Sequence, residues 1–180
     1  MWVARRSVAL GGPGNGDRWG KDDGERADHA LRHFRTWAWI TAAATFVLLL
    51  LGAGVVANGA GLSCPGWPLC GGRVVPVFSG VVVVEWSHRV GALVVTALSL
   101  ITAAAARPLH RQGPWTGLSL TAVGLLAMQV VLGAVVVETN LTPLLVVAHQ
   151  GLGIALLCLW LVAATIPGRP RHRVASGGTV

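Results

Sequence analysis

Two of the six histidines, His88 and His149, lie inside long apolar segments of the sequence. Each stands about five residues into a predicted helix, and these two helices run in the same direction across a membrane. At about 1.5 Å per residue, both imidazoles then lie roughly 7–8 Å below the same membrane edge. Two imidazoles at one depth can supply both axial ligands of a haem iron. The alternative is that each histidine only forms hydrogen bonds across a helix bundle.

A glycine follows each of these histidines at helical spacing. Gly91 comes three residues after His88, and Gly153 comes four residues after His149. Residues three and four apart share a helix face, so each glycine lies on the face of its histidine. The absence of a side chain there would leave a gap for the flat porphyrin ring. The alternative is that both glycines only allow close helix packing.

Two carboxylates, Glu85 and Glu138, are the acidic residues outside the N-terminal tail. Glu85 precedes His88 by three residues and shares its face, where it could move protons or stabilise positive charge on a substrate. Alternatively, Glu85 forms an ion pair with Arg89, four residues later. Arg89 could instead pair with a haem propionate. Glu138 is interpreted as a plain residue of the membrane interface.

Two cysteines bound a short segment, Cys64-Pro65-Gly66-Trp67-Pro68-Leu69-Cys70. The topology described below places this segment on the non-cytoplasmic side, where a disulfide can persist. A bridge would close a small loop stiffened by the two prolines. It could be a structural staple or could take part in thiol–disulfide exchange, because exposed small-loop bridges can be labile. Too few ligands lie nearby to predict a zinc site.

The elements that must position these residues are membrane helices. The chain is 53% hydrophobic and only 12% charged, and its apolar residues form four long blocks. Each block is close to the roughly 20 residues that cross about 30 Å of hydrocarbon. The predicted helices cover about residues 37–58, 83–105, 116–137 and 144–166, with an external cysteine loop at 59–82. The sequence therefore predicts an all-α membrane protein with a four-transmembrane-helix bundle.

The placement of positive charge predicts the orientation. The net charge is +7, and most of the 14 Lys and Arg residues fall in the two tails and in the connection between the second and third helices. The positive-inside rule then places both termini in the cytoplasm and the histidines near the extracytoplasmic face of the cell membrane. Residues 1–36 are predicted to be a disordered cytoplasmic tail, and 168–180 a basic cytoplasmic tail. The basic clusters are not interleaved with aromatic residues, so nucleic acid is not an expected partner.

An internal repeat divides the four helices into two similar pairs. Leu51-Gly52-Ala53 followed by Val55-Val56 resembles Leu132-Gly133-Ala134 followed by Val135-Val136. Each segment is followed by a connection and then by a helix with a histidine near its start. Two helix pairs related by an axis along the membrane normal would produce this pattern. The Gly, Ala and Val bias of the sequence is the alternative explanation.

Taken together, the motifs resemble those of the heme A synthase family over about residues 52–157. The resemblance rests on four segments: residues 59–70, Glu85-Trp86-Ser87-His88-Arg89, residues 129–133 and Ala148-His149-Gln150. It implies an enzyme that oxidises the C8 methyl of heme O to the formyl group of heme A, for use by cytochrome oxidase. The family has eight helices in two related halves. One half holds heme b as cofactor, and the other binds the heme O substrate.

The resemblance also implies roles for particular residues. His88 and His149 match the haem ligands of the family, and Glu85 matches its catalytic glutamate. Cys64 and Cys70 match its external cysteine pair.

This chain departs from the family pattern in two ways. It contains a single half, and Val56 stands where the family pattern has an arginine. A single half implies a homodimer, a higher homo-oligomer or a partner subunit if two haems are to meet. Besides haem and membrane lipid, heme O synthase and cytochrome oxidase assembly factors are candidate partners. A b-type membrane cytochrome and a non-catalytic haem carrier are the competing functions.

Overall fold

The structure is a computed structural model that describes residues 16–168, with side chains described from residue 24. It contains four long helices, α1 (Gly16–Ala57), α2 (Gly80–Ala106), α3 (Trp115–Glu138) and α4 (Pro143–Thr165), and a short 3₁₀ turn at Arg107–Leu109. Each long helix includes a segment long and apolar enough to cross a membrane. The predicted class, an all-α membrane protein with four spanning helices, is confirmed.

Helices α2, α3 and α4 begin and end within three residues of their predicted bounds. Proline explains two of these ends. Pro143 is the first residue of α4, a position where its missing N–H and fixed φ suit a helix start. Pro167 follows the end of α4, and Ile166 before it has a non-helical ψ of 125°, because the residue before a proline is disfavoured in helical conformation.

Helix α1 differs from the prediction. It begins at Gly16, so residues 16–36, predicted to be disordered, are helical. The remaining predicted tail residues, 1–15 and 169–180, lie outside the described residues. The cause is an apolar stripe at helical spacing: Phe34 and Ala38 are fully buried, and Leu31 packs against the same cluster. This stripe continues the buried face of α1 past the apolar block that predicted the helix.

The core is densest in the half of the bundle away from the cysteine loop. Its largest buried side chains come from every long helix and the 3₁₀ turn: Phe34, Val95, Leu109, Trp115 and Trp160. The hydroxyls of Thr41 and Thr102 lie 2.8 Å apart and join α1 to α2 within this half. Lipid tails are as apolar as these side chains, so close packing and interhelical hydrogen bonds hold the helices together.

The order of the helices around the bundle places α2 and α4 on a diagonal. Helix α1 contacts α2 and α4, and α3 contacts the same two helices. Among the described residues, no pair of Cα atoms within 8 Å joins α2 to α4 or α1 to α3. His88 on α2 and His149 on α4 therefore start from backbones on opposite sides of the bundle interior.

The internal repeat has a structural counterpart, because α1 and α3 end in the same motif. Gly59 and Asn140 stop the two helices with positive φ angles of 60° and 53°. Both helix ends have the hydrogen bonds of a Schellman motif. At the end of α1, Ala60 N–H donates to Val55 O and Gly59 N–H donates to Val56 O. At the end of α3, Leu141 N–H donates to Val136 O and Asn140 N–H donates to Val137 O. This agreement in register supports the two helix pairs predicted from the sequence.

Candidate functional site

Each histidine lies against the glycine of the repeat on the preceding helix. A Cβ atom at Gly52 of α1 would lie 3.1 Å from His88 Cε1, and one at Gly133 of α3 would lie 3.0 Å from His149 Cε1. Both glycines precede the turning residue of their helix by seven positions. The two helix pairs thus position their imidazoles in the same way, at matched distances from the loop end of the bundle.

This contact predicts an effect of adding one methyl group. Gly133→Ala should displace the His149 ring and lower the haem content of the purified protein severalfold. Gly124→Ala on the same helix is the matched control, because a Cβ there meets nothing within 4 Å. The measurement is extracted haem per chain after expression with ample haem supply. Equal haem content in the two variants would contradict the proposed role of the glycine.

The two imidazoles have an unusual polar environment. Nδ1 of His88 and Nδ1 of His149 are buried, and neither has a hydrogen-bond partner among the described residues. Buried polar atoms in proteins usually have a partner. Each ring therefore keeps one nitrogen whose hydrogen-bonding capacity is not used by the described residues.

Gln129 of α3 contacts His149, a role that the sequence did not indicate. Its Nε2 donates to the backbone oxygen of His149 at 2.9 Å and lies 3.4 Å from His149 Nε2. Gly153 leaves room for this amide, since a Cβ at Gly153 would lie 3.1 Å from Gln129 Nε2. Gln129 thus helps to hold α4 and its histidine against α3. The available signal was a single amide side chain within an apolar helix.

The gaps expected at Gly91 and Gly153 are not what the structure contains. A Cβ at Gly91 would lie 3.1 Å from Leu48 Cδ1, and one at Gly153 would lie 2.9 Å from Leu49 Cδ2. Both leucines belong to α1. The faces that carry these glycines turn toward α1, so the glycines allow close helix packing. These contacts agree with the alternative explanation, and the admission of a porphyrin at these glycines stays a prediction.

Glu85 is buried beside the histidine site, one helical turn before His88. Its side chain is only about 6% exposed, and its Oε1 accepts a hydrogen bond from Arg89 Nε at 2.9 Å. This is the ion pair considered from the sequence, whose partners are four positions apart. Glu138, by contrast, is exposed at the last position of α3, which suits an interfacial residue.

The rest of the Arg89 guanidinium binds backbone oxygens of the cysteine loop. Nη1 donates to Gly66 O at 2.8 Å and to Leu69 O at 2.9 Å, and Nη2 donates to Cys64 O at 2.8 Å. The expected pairing of Arg89 with a haem propionate stays a prediction. The loop folds over α2, and its carbonyl groups accept hydrogen bonds from both Nη atoms of the guanidinium.

The loop itself is compact. The sulfur atoms of Cys64 and Cys70 lie at disulfide-bonding distance, and both side chains are buried. Gly71 N–H donates to Pro65 O at 2.9 Å within the loop. Trp86 Nε1 of α2 donates to Val74 O at 3.0 Å, which is a second hydrogen-bonded contact between the loop and α2. The loop thus covers the α2 side of the site.

The α4 side of the site is open. A groove of about 520 Å³ lies between α1 and α4 at the loop end of the bundle, and its lining is apolar apart from Gln150: Ala53, Val56, Ala57, Val146, Val147, Gln150, Gly151 and Ile154. Val56, which stands where the family pattern has an arginine, faces this groove. The histidine site is therefore flanked by a polar, covered side and an apolar, open side.

A multi-pass helical membrane protein with an internal histidine pair is the class that this fold and site define. The profile of the COX15-CtaA family, described as cytochrome oxidase assembly protein, matches residues 76–161. The chain is 36% identical over 118 residues to the heme A synthase of Symbiobacterium thermophilum, covering 66% of this chain and 39% of that protein. It is 31% identical over 150 residues to the heme A synthase of Alkalihalophilus pseudofirmus, covering 80% and 50%. The chain belongs to the heme A synthase family.

The chain spans half or less of the length of these two relatives. It is also similar to a Haloarcula marismortui protein named protoheme IX farnesyltransferase, with 30% identity over 123 residues, or 68% of this chain and 26% of that protein. No solved structure matches the chain.

Proposed function

We propose that this protein converts heme O to heme A by oxidising the C8 methyl group to a formyl group, and that it works as a homo-oligomer. The observation that carries the proposal is the buried carboxylate of Glu85 one helical turn from His88, in a chain of the heme A synthase family. Oxidation of a methyl to a formyl group removes electrons and protons and adds one oxygen atom, as in the half-reaction R–CH₃ + H₂O → R–CHO + 4H⁺ + 4e⁻, with dioxygen as the final electron acceptor. A site for it needs a redox centre and a group that moves protons.

The residues of the site fit a haem. His88 and His149 extend from diagonal helices, and each ring keeps a buried Nδ1 without a partner among the described residues. Imidazole is a common axial ligand of haem iron, and two imidazoles form a bis-histidine site. When bound here, a haem would supply the redox chemistry. Heme O is the proposed substrate, and heme b is the proposed cofactor in a second copy of the site.

Glu85 is the proposed catalytic residue. It lies on the face of α2 that carries His88, and the bond from Arg89 Nε to its Oε1 fixes its position. A carboxylate held in this way can accept a proton from a substrate group or stabilise positive charge that develops on it. The second helix pair lacks this arrangement. In α4, Gln150 occupies the position after His149 that corresponds to Arg89, and Val146 occupies the position that corresponds to Glu85. The proposed proton-moving group therefore lies on α2.

A homo-oligomer is the proposed way to bring two haems together. The described residues contain one histidine pair on the bundle diagonal, whereas the proposed reaction uses a cofactor haem and a substrate haem. Two chains would provide both sites. The Haloarcula marismortui protein named protoheme IX farnesyltransferase resembles this chain over 26% of its length. A segment like this chain within a protein of that name supports the proposal of heme O synthase, the enzyme that farnesylates protoheme, as a partner. The family description supports partnership with cytochrome oxidase assembly factors.

The proposed location is the cell membrane, with both termini in the cytoplasm. The concentration of Lys and Arg in the tails and in the α2–α3 connection supports this orientation. It places the histidine site and the cysteine loop near the extracytoplasmic face. A disulfide between Cys64 and Cys70 would persist in that oxidising compartment.

The test is haem analysis of the purified protein. The chain is produced in cells that make heme O, purified in mild detergent, and incubated in air with a reductant. Extracted haems are then separated and identified by mass spectrometry. Heme O, its hydroxylated form and heme A are expected, with the formyl product increasing over time. Heme b alone, cycling between redox states, would indicate a b-type cytochrome, and freely exchanging haem without conversion would indicate a carrier.

A further inference from the structure

Arg89 connects two features that the family resemblance treats separately, the cysteine loop and the catalytic carboxylate. Its guanidinium makes four hydrogen bonds, one to Glu85 and three to backbone oxygens of residues 64–69. The three oxygens belong to Cys64, Gly66 and Leu69, so they lie within the segment that the two cysteines close. The side chain is 14% exposed, which leaves it little contact with solvent.

The chemistry of arginine explains why one residue can do this. A guanidinium carries five N–H donors in a rigid planar fork, and here Nε points to the carboxylate while both Nη atoms point to the loop. Lysine has one ammonium on a flexible stem and cannot hold the same acceptors in fixed directions. The loop conformation matters equally, because the three carbonyl groups that converge on the guanidinium belong to residues 64, 66 and 69, within the segment that the two cysteines bound.

This arrangement belongs to only one of the two helix pairs. After His149 the corresponding residue is Gln150, and the connection between α3 and α4 is only residues 139–142, without a cysteine. If Arg89 and the loop served helix packing alone, both helix pairs would be expected to have them. The guanidinium and loop instead accompany the one buried carboxylate found beside a histidine in the described bundle.

We propose that Arg89 is a positioning residue that makes the closed cysteine loop and the Glu85 carboxylate a single rigid unit. The loop holds Arg89, and Arg89 in turn holds Oε1 of Glu85 beside His88. Loss of loop closure would therefore release the carboxylate, and loss of Arg89 would release the loop. This inference deepens the proposed function and depends on it only for the catalytic readout.

The first test measures the loop and does not depend on catalysis. The full chain, in a Cys158→Ser background that removes the exposed free thiol, is treated with a phosphine reductant and a maleimide. Labelling of Cys64 and Cys70 is followed by mass spectrometry. Arg89→Gln is expected to accelerate labelling about tenfold, since it removes charge-assisted hydrogen bonds that hold the loop closed. Arg73→Gln is the matched control, because it removes the same charge from an exposed position in the same loop.

Arg89→Lys provides a second variant in case Arg89→Gln does not assemble in the membrane. It keeps the charge but loses the fork, so its labelling rate should lie between those of the wild type and Arg89→Gln. Wild-type labelling rates in the Arg89 variants that assemble would overturn the proposal. Equal acceleration by Arg73→Gln would do the same, because it would assign the effect to net charge.

The second test is a mutant cycle on the conversion of heme O. If Arg89 acts through the loop, Arg89→Gln and the double variant Cys64→Ser, Cys70→Ser should lower conversion by similar factors. The combined variant should then be no slower than the slower of the two. If the combined variant loses conversion by the product of the two separate factors, the proposal is overturned. If the wild type does not convert heme O, the proposed function fails, and the labelling test still decides the position of the loop.

Discussion

Replacement of both His88 and His149 by alanine is expected to reduce bound haem to the background level. The structure gives each ring a buried nitrogen without a partner in the described chain, and the two rings extend from diagonal helices. Removing both leaves the haem iron with no imidazole ligand at this site. The measurement is haem per chain by extraction and mass spectrometry, with helix content checked by circular dichroism.

The single variants and a control histidine sharpen this test. His88→Ala or His149→Ala should retain one axial ligand, and bound haem should change from a six-coordinate, low-spin to a five-coordinate, high-spin absorption spectrum. His110→Ala is the control, because His110 is exposed in the α2–α3 connection. Wild-type haem content and spectrum in the double variant would exclude His88 and His149 as ligands. The proposed function would then lose its central feature.

Glu85→Gln is expected to abolish most conversion of heme O while haem binding is retained. The amide is nearly the same size and keeps an oxygen that can accept from Arg89 Nε, so the loop contact should survive. It has no basic oxygen to take up a proton, and loss of a general acid–base group typically lowers a rate by about 10²–10⁴-fold. The measurement is the initial rate of appearance of oxidised haem products, normalised to bound haem.

Glu138→Gln is the matched control for this variant. Glu138 is exposed at the end of α3, so the same change there should leave conversion at the wild-type rate. An unchanged rate in Glu85→Gln would remove Glu85 from the reaction. A loss of bound haem in Glu85→Gln would instead give the residue a role in binding.

The membrane fold was largely predictable, because long apolar blocks leave the chain few alternatives. Three of the four helices agree with their predicted bounds within three residues. The first helix was underestimated, since a mixed polar composition hid the apolar stripe through Leu31, Phe34 and Ala38. Those three residues have helical spacing, so periodicity carried a signal that hydropathy alone did not.

The site was predictable only where residue type and register were enough. The histidine pair and the repeat glycines follow from register, and the structure adds the contacts Gly52–His88 and Gly133–His149. The partners of Arg89 were not predictable, because they are backbone oxygens that converge through the fold of the loop. A sequence specifies side chains, whereas the directions of carbonyl groups in a loop become known only from coordinates.

The length of α1 has a further consequence. At about 1.5 Å per residue, its 42 residues extend roughly 63 Å, about twice the roughly 30 Å of the hydrocarbon layer. The surplus lies at the end away from the cysteine loop and carries charged residues such as Glu25, Arg26 and Arg32. Helix α1 is therefore long enough to continue about 30 Å beyond the hydrocarbon layer at that end, which would carry its charged first turns through the headgroup region into water.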